Sequence, residues 1–85
     1  MAIIFEKIKR ILADELGVDE SVIQPAASFI DDLNMDSDDI AEFFTAVEDT
    51  FSKEDGRIEI PEEDADTIIT VQNLIDYLQE LGVED

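Results

Sequence analysis

The residues of this chain best suited to chemistry are one serine and the acids around it, Asp36-Ser37-Asp38-Asp39. A serine at the exposed start of a helix can carry a covalent group out into solvent. The carboxylates beside it offer a handle to basic partners. The ordinary role of a serine in that place is plainer: it caps the helix or fills its first turn. Little other chemistry is available. The sequence contains no His and no Cys, which removes the commonest general base, the commonest metal ligand, the thiolate nucleophile and any disulfide. An enzyme is not excluded by this, but most of its usual chemistry is, and the expectation is a protein that is not an enzyme.

Two acidic groups invite alternatives. The run Asp32-Leu33-Asn34-Met35-Asp36-Ser37-Asp38 suggests a calcium loop, which needs glycine at its sixth position and a bidentate glutamate at its twelfth. Counting from Asp32 puts Ser37 and Phe43 there, and counting from Asn34 puts Asp39 and Thr45 there. Both registers fail, so no dedicated metal site is expected. Glu62-Glu63-Asp64 could pair carboxylates for catalysis, but it reads more simply as the solvated start of a short helix.

The elements that must position Ser37 are legible from hydrophobic spacing. Ile4, Ile8, Ile11, Leu12 and Leu16 recur on one face of a 3.6-residue period, and Gly17 stops that first helix. A long connection over residues 18–36 follows, broken by Pro25. Its apolar residues Val22, Ile23, Phe29, Ile30 and Leu33 are expected to pack down over the core, and Asn34 is expected at positive φ. A second helix is predicted over residues 37–51. It is capped by Asp36, buries Ile40, Phe43, Phe44, Val47 and Phe51, and shows Asp39, Glu42, Thr45, Glu48 and Asp49 on its other face. That acidic face is either merely solvated or a docking surface. Residues 52–60 read as a loop around Gly56, with Ile58 and Ile60 alternating about Glu59. Pro61 opens a short helix reaching about residue 67. Thr70 caps a last helix that buries Val71, Leu74, Ile75, Leu78 and Leu81 before Gly82. The expectation is an all-α fold of three main helices plus a short one, with a long first loop.

Size and charge narrow the class. With 85 residues, the whole chain is expected to form one domain with a small core. The net charge is −19, from 24 acidic and 5 basic residues. The basic residues form two islands, Lys7/Lys9/Arg10 and Lys53/Arg57, and residues 11–52 contain none. Nucleic acid and anionic lipid would repel such a chain, so its expected partners carry basic patches. No apolar run approaches the roughly 20 residues of a membrane span, and the start lacks the features of a signal peptide. A cytoplasmic monomer is expected.

Ser28-Phe29-Ile30-Asp31-Asp32-Leu33, then Asp36-Ser37, then Ala46-Val47-Glu48-Asp49-Thr50-Phe51, then Ile58-Glu59-Ile60-Pro61 and finally Thr70-Val71-Gln72 with Leu74-Ile75-Asp76-Tyr77-Leu78 follow one another in order. In these stretches and their spacing the chain resembles the acyl carrier protein family from end to end. The resemblance implies a four-helix bundle whose short third helix lies across the others. It implies that a phosphopantetheinyl transferase attaches phosphopantetheine to Ser37, and that the arm's thiol holds acyl groups for fatty acid, polyketide or related lipid biosynthesis. By position, Phe29, Phe43, Val47, Ile60, Ala65 and Ile69 would line the acyl-chain cavity. Asp36, Asp38, Asp39, Glu42, Thr45, Glu48 and Asp49 would face acyl or ketoacyl synthases and related enzymes with basic docking patches.

Two departures from the family pattern stand at the site. The family usually shows Leu-Gly-x-Asp-Ser-Leu, where this chain has Leu33-Asn34-Met35-Asp36-Ser37-Asp38. Asn34 is a mild change, because Asn tolerates positive φ. Asp38 replaces an apolar contact with a carboxylate, which would repel an incoming phosphodiester. This points either to a carrier with a dedicated transferase and pathway, or to a carrier-like docking module that is never loaded. Phe43 and Phe44 are expected to crowd the cavity and favour a short acyl chain.

Overall fold

The computed structural model describes residues 3–84, and the side chains of all of these except 53–55. Four helices form: α1 (Ile3–Leu16), α2 (Ser37–Asp55), α3 (Glu62–Ala65) and α4 (Val71–Glu80). A single 3₁₀ turn, Glu20–Val22, interrupts the first loop. Among the described residues there is no strand, only an isolated antiparallel bridge between Ser28 and Thr70. The fold is an all-α bundle, as the resemblance implies.

The core is where the amphipathic faces meet. α1 packs against α2 and α4. Ile4, Ile8 and Leu12 from α1, Phe43, Val47 and Phe51 from α2, and Val71, Leu74 and Leu78 from α4 are fully buried together. The described residues bury no polar side chain. Removal of apolar surface from water is therefore what holds the bundle, at about 25 cal/mol per Å².

The first loop is ordered because it completes α4. A helix begins with N–H groups that have no partner within the helix. Here Val71 N–H donates to Ala27 C=O at 3.1 Å and Gln72 N–H donates to Pro25 C=O at 2.8 Å. Asn73 N–H donates to Thr70 Oγ1 at 3.1 Å, closing a reciprocal capping box. The loop carbonyls thus serve the donors of a helix more than forty residues away.

Several sequence expectations need correction. α2 does not stop at residue 51 but runs to Asp55, because nothing before Gly56 breaks it; Gly56, at φ 82°, does. In the first loop Ile23, Phe29 and Leu33 are buried as expected, but Val22 is 47% exposed and Ile30 60% exposed. Val22 lies on the outer side of the 3₁₀ turn, and Ile30 on the outer side of the turn that buries Phe29 and Leu33. Leu81 is 44% exposed. It falls after α4 has ended, and Val83, whose N–H donates to Leu78 C=O at 3.0 Å, fills the core in its stead. α3 closes at Ala65, two residues before the predicted end; Thr67 and Ile68 N–H donate to Asp64 and Ala65 in tight turns instead.

Candidate functional site

Ser37 is the first residue of α2, and Asp36 before it is the cap, with extended backbone. Asp39 N–H donates to Asp36 Oδ1 at 2.9 Å, and Asp36 N–H donates back to Asp39 Oδ2 at 3.4 Å. Ile40 N–H donates to Asp36 C=O at 3.0 Å. The capping role open to a serine here is therefore filled by its neighbour. Ser37 is exposed, and its hydroxyl has no hydrogen-bond partner among the described residues. The N–H groups of Ser37 and Asp38 likewise lack a partner among the described residues, unlike their counterparts at the start of α4. Unpaired N–H groups and the helix dipole favour an anionic group at that end.

The approach to the site is fixed by backbone geometry. Asn34 has φ 56°, the left-handed conformation expected for it. Past it, Met35 N–H donates to Phe29 C=O at 3.0 Å, and the Met35 side chain is buried. Ser28 N–H donates to Asp32 Oδ2 at 2.7 Å, and Asp31 N–H donates to Ser28 Oγ at 3.2 Å, which closes the turn before it.

From Ser37 a half-open groove of about 810 Å³ runs between α2 and the segment around α3. Its α2 wall is Ser37, Ile40, Ala41, Phe44, Thr45 and Glu48, spaced at three and four residues on one helical face. Ile60, Ala65, Ile68 and Ile69 form the opposite wall. Of the residues expected to line a cavity, Ile60, Ala65 and Ile69 lie on this groove. Phe29, Phe43 and Val47 lie behind it in the core. Phe29, Phe43 and Phe44 form one aromatic cluster with centroids 5.2 to 6.3 Å apart, and Phe44 alone of the three reaches the groove. Phe44, expected to crowd the cavity, does line the groove; Met35, Ile40 and Ile68 are lining residues that the sequence reading does not single out for a cavity. Counting three and four residues along α2 from Ser37 would have found Ile40.

The residues expected to face partners divide by what they do. Asp36, Asp38, Glu42, Thr45 and Asp49 are exposed. Thr45 Oγ1 turns back to donate to Ala41 C=O at 3.0 Å. Asp39 and Glu48 are half-buried and committed: Asp39 closes the capping box, and Glu48 Oε2 accepts from Ile60 N–H at 2.8 Å, pinning the groove's far wall to α2. Glu15 of α1 lines a shallow depression with Glu42, Thr45 and Asp49, so the acidic surface extends beyond α2. Among the described residues no three acids converge as a metal site would require. Tyr77 ties α4 to α3: its hydroxyl donates to Asp64 Oδ2 at 2.7 Å. Burial first, and then that carboxylate, push the phenol up to about 12. Asp19 is held below its ordinary value by the N–H of Ser21, which donates to its carboxylate at 2.9 Å.

Four helices, a long ordered first loop and a free serine hydroxyl at the mouth of an apolar groove define a small helical carrier fold. A family model described as the phosphopantetheine attachment site matches residues 6–78 of the 85, and the chain belongs to that family. Members of the family hold a covalently attached phosphopantetheine group. The residues around Ser37 fit such a group: the hydroxyl is accessible, the adjacent N–H groups are unpaired, and the groove offers apolar walls. No helix among the described residues is long and apolar enough to cross a membrane.

Proposed function

We propose that this chain carries acyl intermediates as thioesters on a phosphopantetheine arm attached to Ser37. The observation that supports the reading best is the free, exposed Ser37 hydroxyl at the groove mouth of a chain matched over residues 6–78 by the attachment-site family. When bound, the group supplies a terminal thiol on which an acyl chain is held. Everything else falls to the protein's own residues. Ser37 presents Oγ, and the N–H groups of Ser37 and Asp38 favour the phosphodiester. Asp36 and Asp39 hold the helix start in place. Ile40, Phe44, Ile60 and Ile68 shield apolar cargo from water. Glu42 and Asp49 draw in the basic face of a transferase, and with Asp38 those of acyl or ketoacyl synthases, giving fast encounter with modest affinity. The base for loading comes from the transferase, and the chain itself is not an enzyme. It acts as a single cytoplasmic domain and a monomer. Asp38 beside Ser37 suits a dedicated fatty acid, polyketide or related lipid pathway with its own transferase.

The same Asp38 favours a second reading, a carrier-like docking module that is never loaded. Intact mass after incubation with coenzyme A, magnesium and a broad-specificity phosphopantetheinyl transferase separates the two, with Ser37→Ala alongside. The expected result is a gain of one phosphopantetheine in the unsubstituted chain and none in the variant. No gain with that enzyme or with the host's own transferase would establish the docking module.

A further inference from the structure

Ile30 and Ile69 come from distant parts of the chain and stand together at the mouth of the Ser37 groove. They are 60% and 54% exposed. Phe29 N–H donates to Ile69 C=O at 3.1 Å, which sets the two segments side by side. Single exposed apolar residues are common and need no explanation. This pair differs in that two such residues from distant segments line one groove, and both are held in place. Ile69 N–H donates to Asn73 Oδ1 at 3.1 Å, so both backbone groups of Ile69 are engaged. Ile30 sits inside a turn closed by Leu33 N–H donating to Ser28 C=O at 3.1 Å and by the Ser28–Asp32 bond. A pre-ordered apolar surface binds at a smaller entropic cost than a mobile one.

The exposed positions of α2 nearest Ser37 offer no such surface: they are Asp38, Ala41 and Glu42. An enzyme acting on Ser37 needs buried apolar contact for residence as well as charge for encounter. We propose that Ile30 and Ile69 form the apolar anchor for a phosphopantetheinyl transferase whose docking face carries an apolar side chain ringed by Lys or Arg. Charge complementarity fits that partner: exposed Asp31 follows Ile30 in the chain, exposed Asp36 and Asp66 line the same groove as the pair, and residues 11–52 contain no Lys or Arg. The proposal rests on Ser37 as the attachment residue.

The test measures initial loading rates by intact mass against carrier concentration, at saturating coenzyme A and magnesium. It compares the unsubstituted chain with Ile30→Ser/Ile69→Ser and with Val22→Ser/Leu81→Ser, which removes two exposed apolar residues that do not line the groove. The expected result is a KM raised roughly tenfold in the first variant, as for loss of an interface anchor, with kcat, Tm and salt dependence near those of the unsubstituted chain. The second variant should match the unsubstituted chain. An unchanged KM in the first variant, a fall confined to kcat, or an equal loss in both variants would overturn the anchor while leaving Ser37 as the attachment residue. Failure of the unsubstituted chain to load with both the broad-specificity transferase and the host's own overturns the Ser37 reading and the anchor with it. Sedimentation of the unsubstituted chain as a dimer that Ile30→Ser/Ile69→Ser dissolves would assign the pair to a second copy and overturn the proposal.

Discussion

Asp38 and Tyr77 show how single side chains set conditions on the rest of the protein. Asp38 is exposed at the second position of α2, beside the proposed attachment hydroxyl. A carboxylate about 6 Å from a phosphodiester costs on the order of 0.7 kcal/mol in water, and more in a drier interface. Asp38→Leu should therefore raise kcat/KM for loading by at least about threefold, checked by the rate of mass gain; a rate unchanged or lower would mean that the transferase uses this carboxylate. Tyr77 acts at alkaline pH. Its phenol titrates at about 12 in the fold against an ordinary value of 10.0, so the folded protein holds the proton more tightly than the unfolded chain does. That stability is complete below pH 10 and is lost as the pH rises toward 12. Tyr77→Phe should flatten the alkaline decline in the urea midpoint. An equally steep decline in the variant would place the sensitivity elsewhere.

At the scale of elements, helix ends do most of the positioning. The donors at the start of α4 are taken by Ala27, Pro25 and Thr70, which draws the long loop down and with it the turn carrying Asn34 and Met35. The start of α2 uses Asp36 and Asp39 on each other and leaves Ser37 free. The segment beyond α2 has no sheet to pair with, so side chains of α2 take its N–H groups: Ser52 Oγ accepts from Ile58 at 2.9 Å and Glu48 from Ile60 at 2.8 Å. Glu48→Ala leaves a partly buried N–H without its acceptor and should cost about 1–2 kcal/mol, with faster amide exchange at Ile60. Glu48→Gln keeps an acceptor and should restore most of both. Equal losses in the two variants would show that charge, not the hydrogen bond, is what Glu48 contributes.

Over the whole molecule, the balance lies between a small apolar core and a net charge of −19. Two basic side chains are spent locally, Lys9 on Glu6 at 3.4 Å and Arg57 on Glu59 at 2.8 Å. Among the described residues no ion pair reaches Asp38, Glu42 or Asp49. Exposed pairs of this kind contribute little, so self-repulsion along α2 goes largely unopposed. Millimolar magnesium or moderate salt should raise Tm by a few degrees through general screening of that repulsion. An unchanged Tm in scanning calorimetry would mean that the acids are too dispersed to destabilise the fold.

Periodicity and composition were enough for the four helices, the capping roles of Asp36 and Thr70 and the left-handed Asn34, because each depends on residues within a few positions of one another. The free state of Ser37 is local too, since its neighbour takes the cap. The lining of the groove is not. Phe29, Phe43 and Val47 look as suited to a cavity wall as Ile60 or Ile69 when read along the chain, and only the packing of α2 against the far segment puts the first three behind the surface. The same holds for Glu48, whose acceptor role depends on an N–H twelve residues away, and for Ile30 and Ile69, which become one surface only when the Phe29–Ile69 bond forms. Local dihedral preference and helical period are written in the order of residues. Which face is covered, and by what, is decided by long-range burial, because that free energy depends on the neighbours the tertiary fold supplies.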